Sequence, residues 1–528
     1  MSFFTQSTIE ILNSVSLQKC NFSMKNQFVY FIFTVILLLS FSCRKDFSTI
    51  PSQSNNLSFS APNDTIFLDT VFSNISTSTY SLKVYNNSSN DIHIPSIYLG
   101  RSNSYYRLNV DGLPGTSFNN VPLRAKDSLY IFIEGTINYS ATNPIYTDSI
   151  IFDSGISTKN IKLVTLVQDA QFIYVNNEID TTTVVPYFLP DATPKNIHYL
   201  SDEEIAVFND AANEKSIVFY GYCGVPENKT LTIAANKKLH FHKNSALIVE
   251  KDASLIINGT LDEKVFIEGD RLEPEFSDRP GQWDAIWFRA GSKGNNINYL
   301  NNKNGRFGIV CDSLSKDGST PTLTLRNTEL YNHAELGLLA NHSNISGENL
   351  VIGSSRTSSI NITNGGNYDF NHLTIANYWT ESIRRGSSLQ ISNIRSNDFP
   401  EEAATDLIFN ISNSIIDGNT TNELFLEKNE SDLFSYFFQN CMFKQSESSD
   451  DPLYDFSDAT KYLDNIFNAK PDYFDTTLNK FEIGEESELI NKGDLTNASK
   501  TPLDIIETDR TIAPDIGAYQ HIIFPEEE

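Results

Sequence analysis

The sequence predicts an all-β protein in which a β-sandwich is followed by a parallel β-helix. Residues 58–169 alternate short β-rich runs with turn clusters and show no helical period, which is typical of an antiparallel sandwich. From residue 231 onward, apolar-x-apolar triplets recur about every eight residues, and a longer repeat of 20 to 27 residues follows downstream. Repeats of this length without helical periodicity indicate a β-solenoid.

The eight-residue repeat predicts how the backbone winds. The triplets begin at Leu231, Leu239, Leu247, Leu255 and Val265, at intervals of 8, 8, 8 and 10 residues. Each interval has room for a short strand and a turn but not for a crossover helix. A coil with three faces would return after 24 residues and place Leu255 on Leu231. Antiparallel hairpins would instead pair Leu231 with Leu239.

The longer repeat marks a recurrent turn that begins with a polar residue. The residues in this position are Asn327, Asn349, His372, Asn413 and Asn440. Asparagine enters the left-handed backbone conformation at low cost, and stacked asparagine side chains can form a hydrogen-bonded ladder. We therefore expect an asparagine-rich corner along the solenoid. A β-propeller is the alternative architecture, although its blades need about 40 residues.

The composition limits the partners of the chain. Its 528 residues include 66 acidic and 39 basic side chains, which gives a net charge of −27. Such a charge repels phosphate backbones, so we expect no nucleic-acid partner. Beyond the N-terminal segment, Cys223, Cys311 and Cys441 are widely spaced, which indicates neither a disulfide framework nor a zinc site.

The N-terminal segment predicts export and lipid anchoring. Residues 28–41 form an apolar run of 14 residues, which is too short to span a bilayer but typical of a secretion signal. Residues 1–23 are polar, so we expect translation to begin at Met24. Cys43 ends the run and resembles the lipidated cysteine of a bacterial lipobox; a plain signal peptide is the alternative. The expected location is the cell envelope, as an outer-membrane lipoprotein held by its lipid, with surface exposure left open.

The pattern along the chain predicts its domain organisation. Ser201 and Glu204 have the spacing of a capping box, which predicts a short helix before the solenoid. The expected parts are a signal and lipoprotein segment at 1–43, a flexible tether at 44–57, the sandwich at 58–169, a connector and N-terminal cap at 170–215, the β-helix at 216–445, and C-terminal coils with a cap at 446–528.

Two parts of the chain resemble known protein families. Residues 80–97 are similar to immunoglobulin-like modules of the ASPM/SPD-2/Hydin type, which implies an immunoglobulin-like spacer or adhesion module. A second set of segments comprises Thr230–Ile233, Ala253–Thr260, Phe266–Pro274, Pro280–Ile286, Gly366–Tyr368, Asn491–Gly493, Asp509–Arg510 and Pro514–Tyr519. These segments look like exported right-handed parallel β-helix lipoproteins of Gram-negative bacteria, and the last three resemble the closing segment of pectate-lyase-like proteins. That superfamily mixes polysaccharide lyases, hydrolases and adhesins, so the resemblance implies the fold more than an activity.

An acidic loop is the candidate for lyase chemistry. A lyase on such a scaffold needs carboxylates that hold calcium against a uronate, and a Lys or Arg base. Residues 268–279 supply five acids and two arginines within 12 residues. The catalytic candidates are Asp270, Arg271 and Glu273, and the calcium candidates are Asp270, Glu273, Glu275 and Asp278. The alternative is a salt-bridged loop that packs Trp283 and Trp287 against the solenoid.

Aromatic and basic residues cluster across one predicted coil. Aromatic rings stack on sugars and arginine holds carboxylates, so a glycan groove is one interpretation and core packing is the other. The cluster comprises Tyr368, His372, Tyr378, Trp379, Arg384 and Arg385, of which Tyr378, Trp379, Arg384 and Arg385 are the candidate ligand-binding residues. Separately, His240 and His242 alternate along one strand and would both face outward, either as two ligands of a metal or as solvated histidines.

These features support three functions. The leading hypothesis is a lipid-anchored envelope protein that binds an extended polysaccharide without turning it over, because the sequence holds no complete catalytic set. The first alternative is a calcium-dependent polysaccharide lyase that uses the acidic loop. The second alternative is a structural or adhesive stalk, which needs no groove.

Overall fold

The structure is a computed structural model that describes residues 48–176, 182–189, 192–312, 321–396, 405–446 and 450–525. The predicted start at Met24 and the predicted lipidation site Cys43 lie outside the described residues. The described chain forms two compact units. One holds residues 48–66, 79–135 and 147–163, and the other holds residues 67–78 and 136–146 together with the chain from residue 164 onward.

The N-terminal β-sandwich is built from two sheets. The larger sheet contains Ile50–Pro51, Thr65–Phe72, Ile92–Leu99, Ser117–Leu123, Ile145–Asp153 and Thr158–Gln168. The smaller sheet contains Leu57–Phe59, Tyr80–Asn86, Tyr106–Val110, Leu113–Gly115 and Ser128–Gly135.

Alternating side chains give each sheet one apolar face. Leu82 pairs with Ile131 on the neighbouring antiparallel strand, and both are fully buried while the residues beside them are not. Phe59 of the smaller sheet lies 4.7 Å from Phe152 of the larger one, ring centroid to ring centroid. The two sheets therefore share a core, and the predicted immunoglobulin-like sandwich is confirmed.

The second unit is a right-handed parallel β-helix with three faces. Leu231 and Leu255 are partners in parallel strands, as the 24-residue return predicts. Leu239 pairs with Ile267 of the next coil rather than with Leu231, so the hairpin alternative is wrong. Three strands and three turns make one circuit, so each strand and its turn take about eight residues.

Each face is a stack of parallel strands. Face A contains Ala170–Tyr174, Ser216–Tyr220, Lys238–Phe241, Val265–Gly269, Leu300–Lys303, Ile415–Gly418, Met442–Phe443 and Ile466–Phe467. Face B contains Lys195–Tyr199, Tyr222–Val225, Ala246–Val249, Ile286–Phe288, Phe307–Asp312, Leu389–Ser392 and Leu424–Glu427. Face C contains Thr230–Ile233, Ser254–Asn258, Asn295–Asn298, Leu407–Ser412, Phe434–Gln439 and Tyr462–Leu463. Three longer strands bend around corners and serve more than one face: Leu323–Tyr331, Leu336–Gly353 and Ser358–Asn377.

The inward side chains of all three faces form one continuous apolar core. Like residues stack from coil to coil because the register is parallel. Phe219 lies 4.4 Å from Phe241 with the ring planes 4° apart, and Phe241 lies 4.8 Å from Trp283. Cys223 and Cys311 are buried in this core as free thiols.

The corner between faces C and A carries the predicted asparagine-rich ladder. Asn327, Asn349, His372, Asn413 and Asn440 all have left-handed backbone angles, with φ between 46° and 56°. The Asn349 amide donates to Asn327 Oδ1 over 2.9 Å, and Asn413 Nδ2 lies 3.0 Å from His372 Nε2. Side-chain hydrogen bonds between successive coils therefore hold this corner, as the repeat predicts.

A short helix, Asp202–Asn209, closes the first end of the core. Ser201 accepts from the Glu204 amide, and Glu204 accepts from the Ser201 amide, so the predicted capping box is present. Phe208 is buried with its ring centroid 5.9 Å from that of Phe219. No helix in the described ranges is long and apolar enough to cross a membrane. The other described helices are Leu495–Ala498 and the 3-10 turns Ser54–Asn56, Pro62–Asp64, Pro274–Phe276, Pro452–Tyr454 and Thr476–Leu478.

Two segments of the chain cover the outer sides of faces A and B. Residues 182–189, which include the strand Thr183–Val184, place the Phe188 ring 5.0 Å from Trp287 on face B. On face A, the C-terminal strands Tyr473–Asp475 and Lys480–Ile483 carry Phe481 into a cluster with outward residues of the coils. The corner between faces A and B lies between these two covers.

Candidate functional site

A cleft of about 480 Å³, which we call the corner cleft, lies at the corner between faces A and B. Six successive coils contribute to its lining, since each coil turns this corner once. The lining residues, in coil order, are Lys243 and Asn244, then Pro280, Gly281 and Asp284, then Arg306, then Ala334 and Glu335, then Arg356, then Trp379 and Ser382.

The corner cleft runs along the axis of the β-helix. Backbone hydrogen bonds stack its coils directly: the Glu335 amide donates to Arg306 O over 2.8 Å, and the Thr357 amide donates to Glu335 O over 2.9 Å. Neighbouring strands lie about 4.8 Å apart, so five steps between six coils span about 24 Å. The shape of the cleft suits an extended ligand.

Cations outnumber carboxylates in the corner cleft, although the whole chain is acidic. Arg356 pairs with Glu335 over 3.3 Å, and Asp284 accepts a hydrogen bond from the Tyr222 hydroxyl over 2.5 Å. Lys243 and Arg306 form no ion pair within 4.0 Å in the parts of the chain that the structure describes. The lining therefore has one positive charge in excess of its carboxylates, and Lys243 and Arg306 are the cations that an anionic group can contact.

Several polar atoms beneath this corner lack partners among the described residues. They include Gln282 Oε1, Asn304 Oδ1 and both ring nitrogens of His333. Burial lowers the pKa of His333 to about 3, so its imidazole is neutral at pH 7.

Only one of the four candidate ligand-binding residues lines the corner cleft. Trp379 does so, but its side chain is 5% exposed and its indole nitrogen donates to Ser382 Oγ. Tyr378 donates its hydroxyl to Asp417 over 2.7 Å and packs beside Phe481 of the C-terminal segment.

Arg384 forms a buried ion pair, so its guanidinium is not open to a ligand. Its side chain is 3% exposed, and its guanidinium contacts Glu423, which is fully buried. Burial alone would raise the pKa of Glu423, but hydrogen bonds from Arg384 hold it below its usual value. Arg385, in contrast, is exposed. A groove built on Tyr378, Trp379, Arg384 and Arg385 together is therefore not present, because their side chains go to different environments.

The remaining members of the aromatic cluster belong to the interior. Tyr368 is fully buried and donates its hydroxyl to Gly365 O over 3.0 Å. His372 is buried in the C–A corner ladder, and burial lowers its pKa well below the usual value. Core packing, the alternative interpretation, describes these two residues.

The acidic loop forms separate ion pairs rather than one carboxylate site. Asp270 lies 2.7 Å from His242 Nδ1, and Arg271 donates to Glu273 over 2.8 Å. Asp278 lies 3.7 Å from Lys303, and Glu275 is exposed. No group of three or more His, Cys, Asp or Glu in the described ranges could hold a metal ion. The loop is therefore salt-bridged, as the alternative has it, and Trp283 is buried in the core. Trp287 packs instead against Phe188 on the outer side of face B.

The two histidines of the same strand have different surroundings. His240 is buried, with Nδ1 3.1 Å from Gly269 O on the next coil, and burial lowers its pKa. His242 is 46% exposed, stacks on Tyr220 at 4.3 Å and bonds to Asp270. The expectation that both are solvated is wrong for His240, because the carbonyl of the neighbouring coil and burial on face A remove it from solvent.

A second cavity, of about 440 Å³, lies on face A beside the loop. Lys303 and Glu268 lie 3.4 Å apart in it, and Lys238, Asp278 and Tyr331 also line it. Its two cations are balanced by two carboxylates, so it lacks the positive excess of the corner cleft.

No known protein family matches the chain, and no curated protein matches it. Among solved structures, a family 123 glycoside hydrolase from Clostridium perfringens, described for glycolipid glycan hydrolysis, is 14% identical over 28% of this chain and 28% of that chain, with a TM-score of 0.15. A superposition this poor carries no argument about fold or function.

The cations of the corner cleft were not identified from the sequence. Lys243, Arg306 and Arg356 are 63 and 50 residues apart, so no local motif joins them. What they share is their position in the coil, because each follows the end of a face A strand by two or three residues. Writing the chain in coil register, with the ends of the face A strands aligned, would bring them into two adjacent columns.

Proposed function

We propose that this protein binds an extended, anionic polysaccharide along the corner cleft and holds it at the cell envelope without turning it over. The observation that carries the proposal is the pair of cations that have no ion-pair partner among the described residues, Lys243 and Arg306, in a cleft that spans six coils. A chain with a net charge of −27 would repel polyanions elsewhere on its surface, so the cations mark where an anion can bind.

The chemistry of the lining fits acidic sugars. Guanidinium and ammonium groups donate to carboxylates, and the open amide of Asn244 and hydroxyl of Ser382 suit sugar hydroxyls. The coil spacing of about 4.8 Å is close to the length of one pyranose unit, so equivalent contacts can repeat along a linear chain.

The location of the protein is also part of the proposal. The apolar run at 28–41 and Cys43 support lipid anchoring in the outer membrane. A membrane and a polysaccharide are thus the proposed partners, and the acidic composition argues against nucleic acid. A calcium-dependent lyase would need the carboxylates of the acidic loop to converge, and the observed pairs of Arg271 with Glu273 and His242 with Asp270 do not favour that arrangement.

The test is titration calorimetry with uronate-containing and neutral oligosaccharides. The variant Lys243→Ala/Arg306→Ala removes both free cations, and exposed charge pairs contribute up to about 1 kcal/mol each, so binding of the acidic ligands should weaken roughly 25-fold. The matched control is Lys251→Ala/Lys428→Ala, which removes two exposed cations outside the corner cleft. Binding that survives the first variant, or that falls equally in the control, would overturn the proposal. Appearance of unsaturated products in the ultraviolet would show a lyase instead.

A further inference from the structure

A cleft of about 450 Å³ lies on the smaller sheet of the β-sandwich, within the first unit. It is formed where the strands Tyr106–Val110, Leu113–Gly115 and Ser128–Gly135 meet at the edge of the sheet. We call it the Phe132 cleft, after the aromatic ring that lines it. Polar side chains that line it include those of Thr79, Arg107, Asn109 and Glu134.

The strand that carries Phe132 presents aromatic side chains on the side where polar ones are expected. Its inward residues Ile131 and Ile133 are fully buried, whereas the outward rings of Tyr130 and Phe132 are 46% and 42% exposed. The two outward rings are nearly parallel, with planes 13° apart and centroids 6.2 Å apart. Two adjacent exposed aromatic rings on a rigid sheet form an apolar patch on a face that is usually polar, and such a patch is suited to binding a ligand.

Polar groups of fixed geometry surround the ring. Arg107 donates to Glu134 Oε2 from two nitrogens, at 2.9 and 3.1 Å, and Thr79 also donates to Glu134. These contacts hold the guanidinium and the carboxylate in place at the rim. Asn109 Oδ1 is buried and has no hydrogen-bond partner in the described ranges.

The edge strand disfavours a peptide occupant. Leu113–Gly115 is the last strand of its sheet, which would invite pairing with a peptide strand. Pro114 in its centre has no N–H to donate, and proline on an edge strand is a usual means of blocking such pairing. The charges of Arg107 and Glu134 cancel, so the Phe132 cleft does not select an anion either.

We propose that the Phe132 cleft binds a hexopyranose unit of a neutral glycan. The C–H face of the sugar packs on the Phe132 ring, and its hydroxyls accept from Arg107 and donate to Glu134. This site differs from the corner cleft in unit, in charge and in ligand class.

The experiment titrates the purified protein with neutral gluco-, manno- and galacto-configured oligosaccharides. Phe132→Ala should weaken binding of the preferred glycan about tenfold, whereas Phe132→Tyr, which keeps the ring, should retain it. The control Phe67→Ala removes another exposed aromatic ring, 70% exposed, and should change nothing. Melting curves establish that each variant is folded.

Further outcomes separate this site from the corner cleft and from self-association. Lys243→Ala/Arg306→Ala should leave neutral-glycan binding intact, and Phe132→Ala should leave acidic-glycan binding intact. Absence of neutral-glycan binding in the unmodified protein, or equal binding by Phe132→Ala, overturns the inference. A change in oligomeric state with Phe132→Ala, without a change in glycan binding, overturns it in favour of contact between copies of the chain.

Discussion

The buried pair of Arg384 and Glu423 allows a quantitative test of how the long turn at 378–388 is held. Arg384→Met keeps most of the volume of the side chain but leaves Glu423 buried without its cation. The guanidinium also donates to Asn377 O over 2.7 Å and to Asn419 Oδ1 over 2.9 Å, so the variant loses contacts to two coils. We expect this one change to destabilise the β-helix more than loss of any exposed ion pair.

The expected magnitude follows from burial. Removing one partner of a buried ion pair costs about 3–5 kcal/mol of unfolding free energy. At roughly 2 °C per kcal/mol for a unit of this size, the melting temperature should fall by about 6–10 °C. Arg356→Met is the matched control, because its pair with Glu335 is 39% and 27% exposed and should contribute less than about 1 kcal/mol. Arg384→Met/Glu423→Leu should recover most of the loss, since no unpaired charge remains.

The pH dependence gives a second readout by circular dichroism melts. In the unmodified protein, the pKa of Glu423 lies below its usual value of 4.5, so its contribution is present above that pH and is lost on acidification. In Arg384→Met, burial without a cation raises the pKa of Glu423. Protonation on acidification then neutralises the unpaired carboxylate and removes part of the destabilisation. The destabilisation should therefore shrink between pH 7 and pH 5. A melting temperature within 2 °C of the unmodified protein, roughly the effect of 1 kcal/mol, would refute the reasoning, as would a double variant no better than the single one.

Three further changes test other features. Asn349→Ala places alanine at a φ of 53° without the ladder hydrogen bond and should cost about 2 kcal/mol in urea titrations, more than Asn349→Gly. Cys43→Ser should release the protein from the membrane fraction, and retention there would contradict lipidation. His333 should contribute about 2 kcal/mol to a loss of stability between pH 6.5 and pH 5, because only unfolded chains protonate it in that range, and the buried His240 and His372 should add to the same slope. His333→Gln should make this slope shallower, and an unchanged slope would exclude a contribution from His333.

The winding of the β-helix could be predicted because it depends on short-range periodicity. Leu231 and Leu255 are one circuit apart, and every coil repeats the same inward row. The left-handed turns at Asn327 and Asn349 were equally readable, since few residues other than asparagine and glycine adopt that conformation at low cost. Features that depend on nearby residues, such as the strand period and the left-handed turns, can therefore be read from the sequence.

The candidate site could not be predicted in the same way. Long segments of different place in the coil separate the cations: residues 270–285, between a face A and a face B strand, lie between Lys243 and Arg306, and residues 313–322, which follow a face B strand, lie between Arg306 and Arg356. The three cations therefore follow no fixed period. Arg384 was expected to bind a ligand, but its partner Glu423 lies 39 residues later and is buried beside it only after folding. Whether a charge is free depends on such distant partners, and the sequence does not display them.

The C-terminal segment has a consequence for the order in which the protein matures. Asn349 and Asn413 of the corner ladder donate to the backbone carbonyls of Leu503 and Asp494, and Asn440 donates to that of Lys492. These bonds cannot form until residues 492–503 have been synthesised. Under the proposed export, this corner of the β-helix would therefore gain its last hydrogen bonds only after the C-terminal segment had been transported.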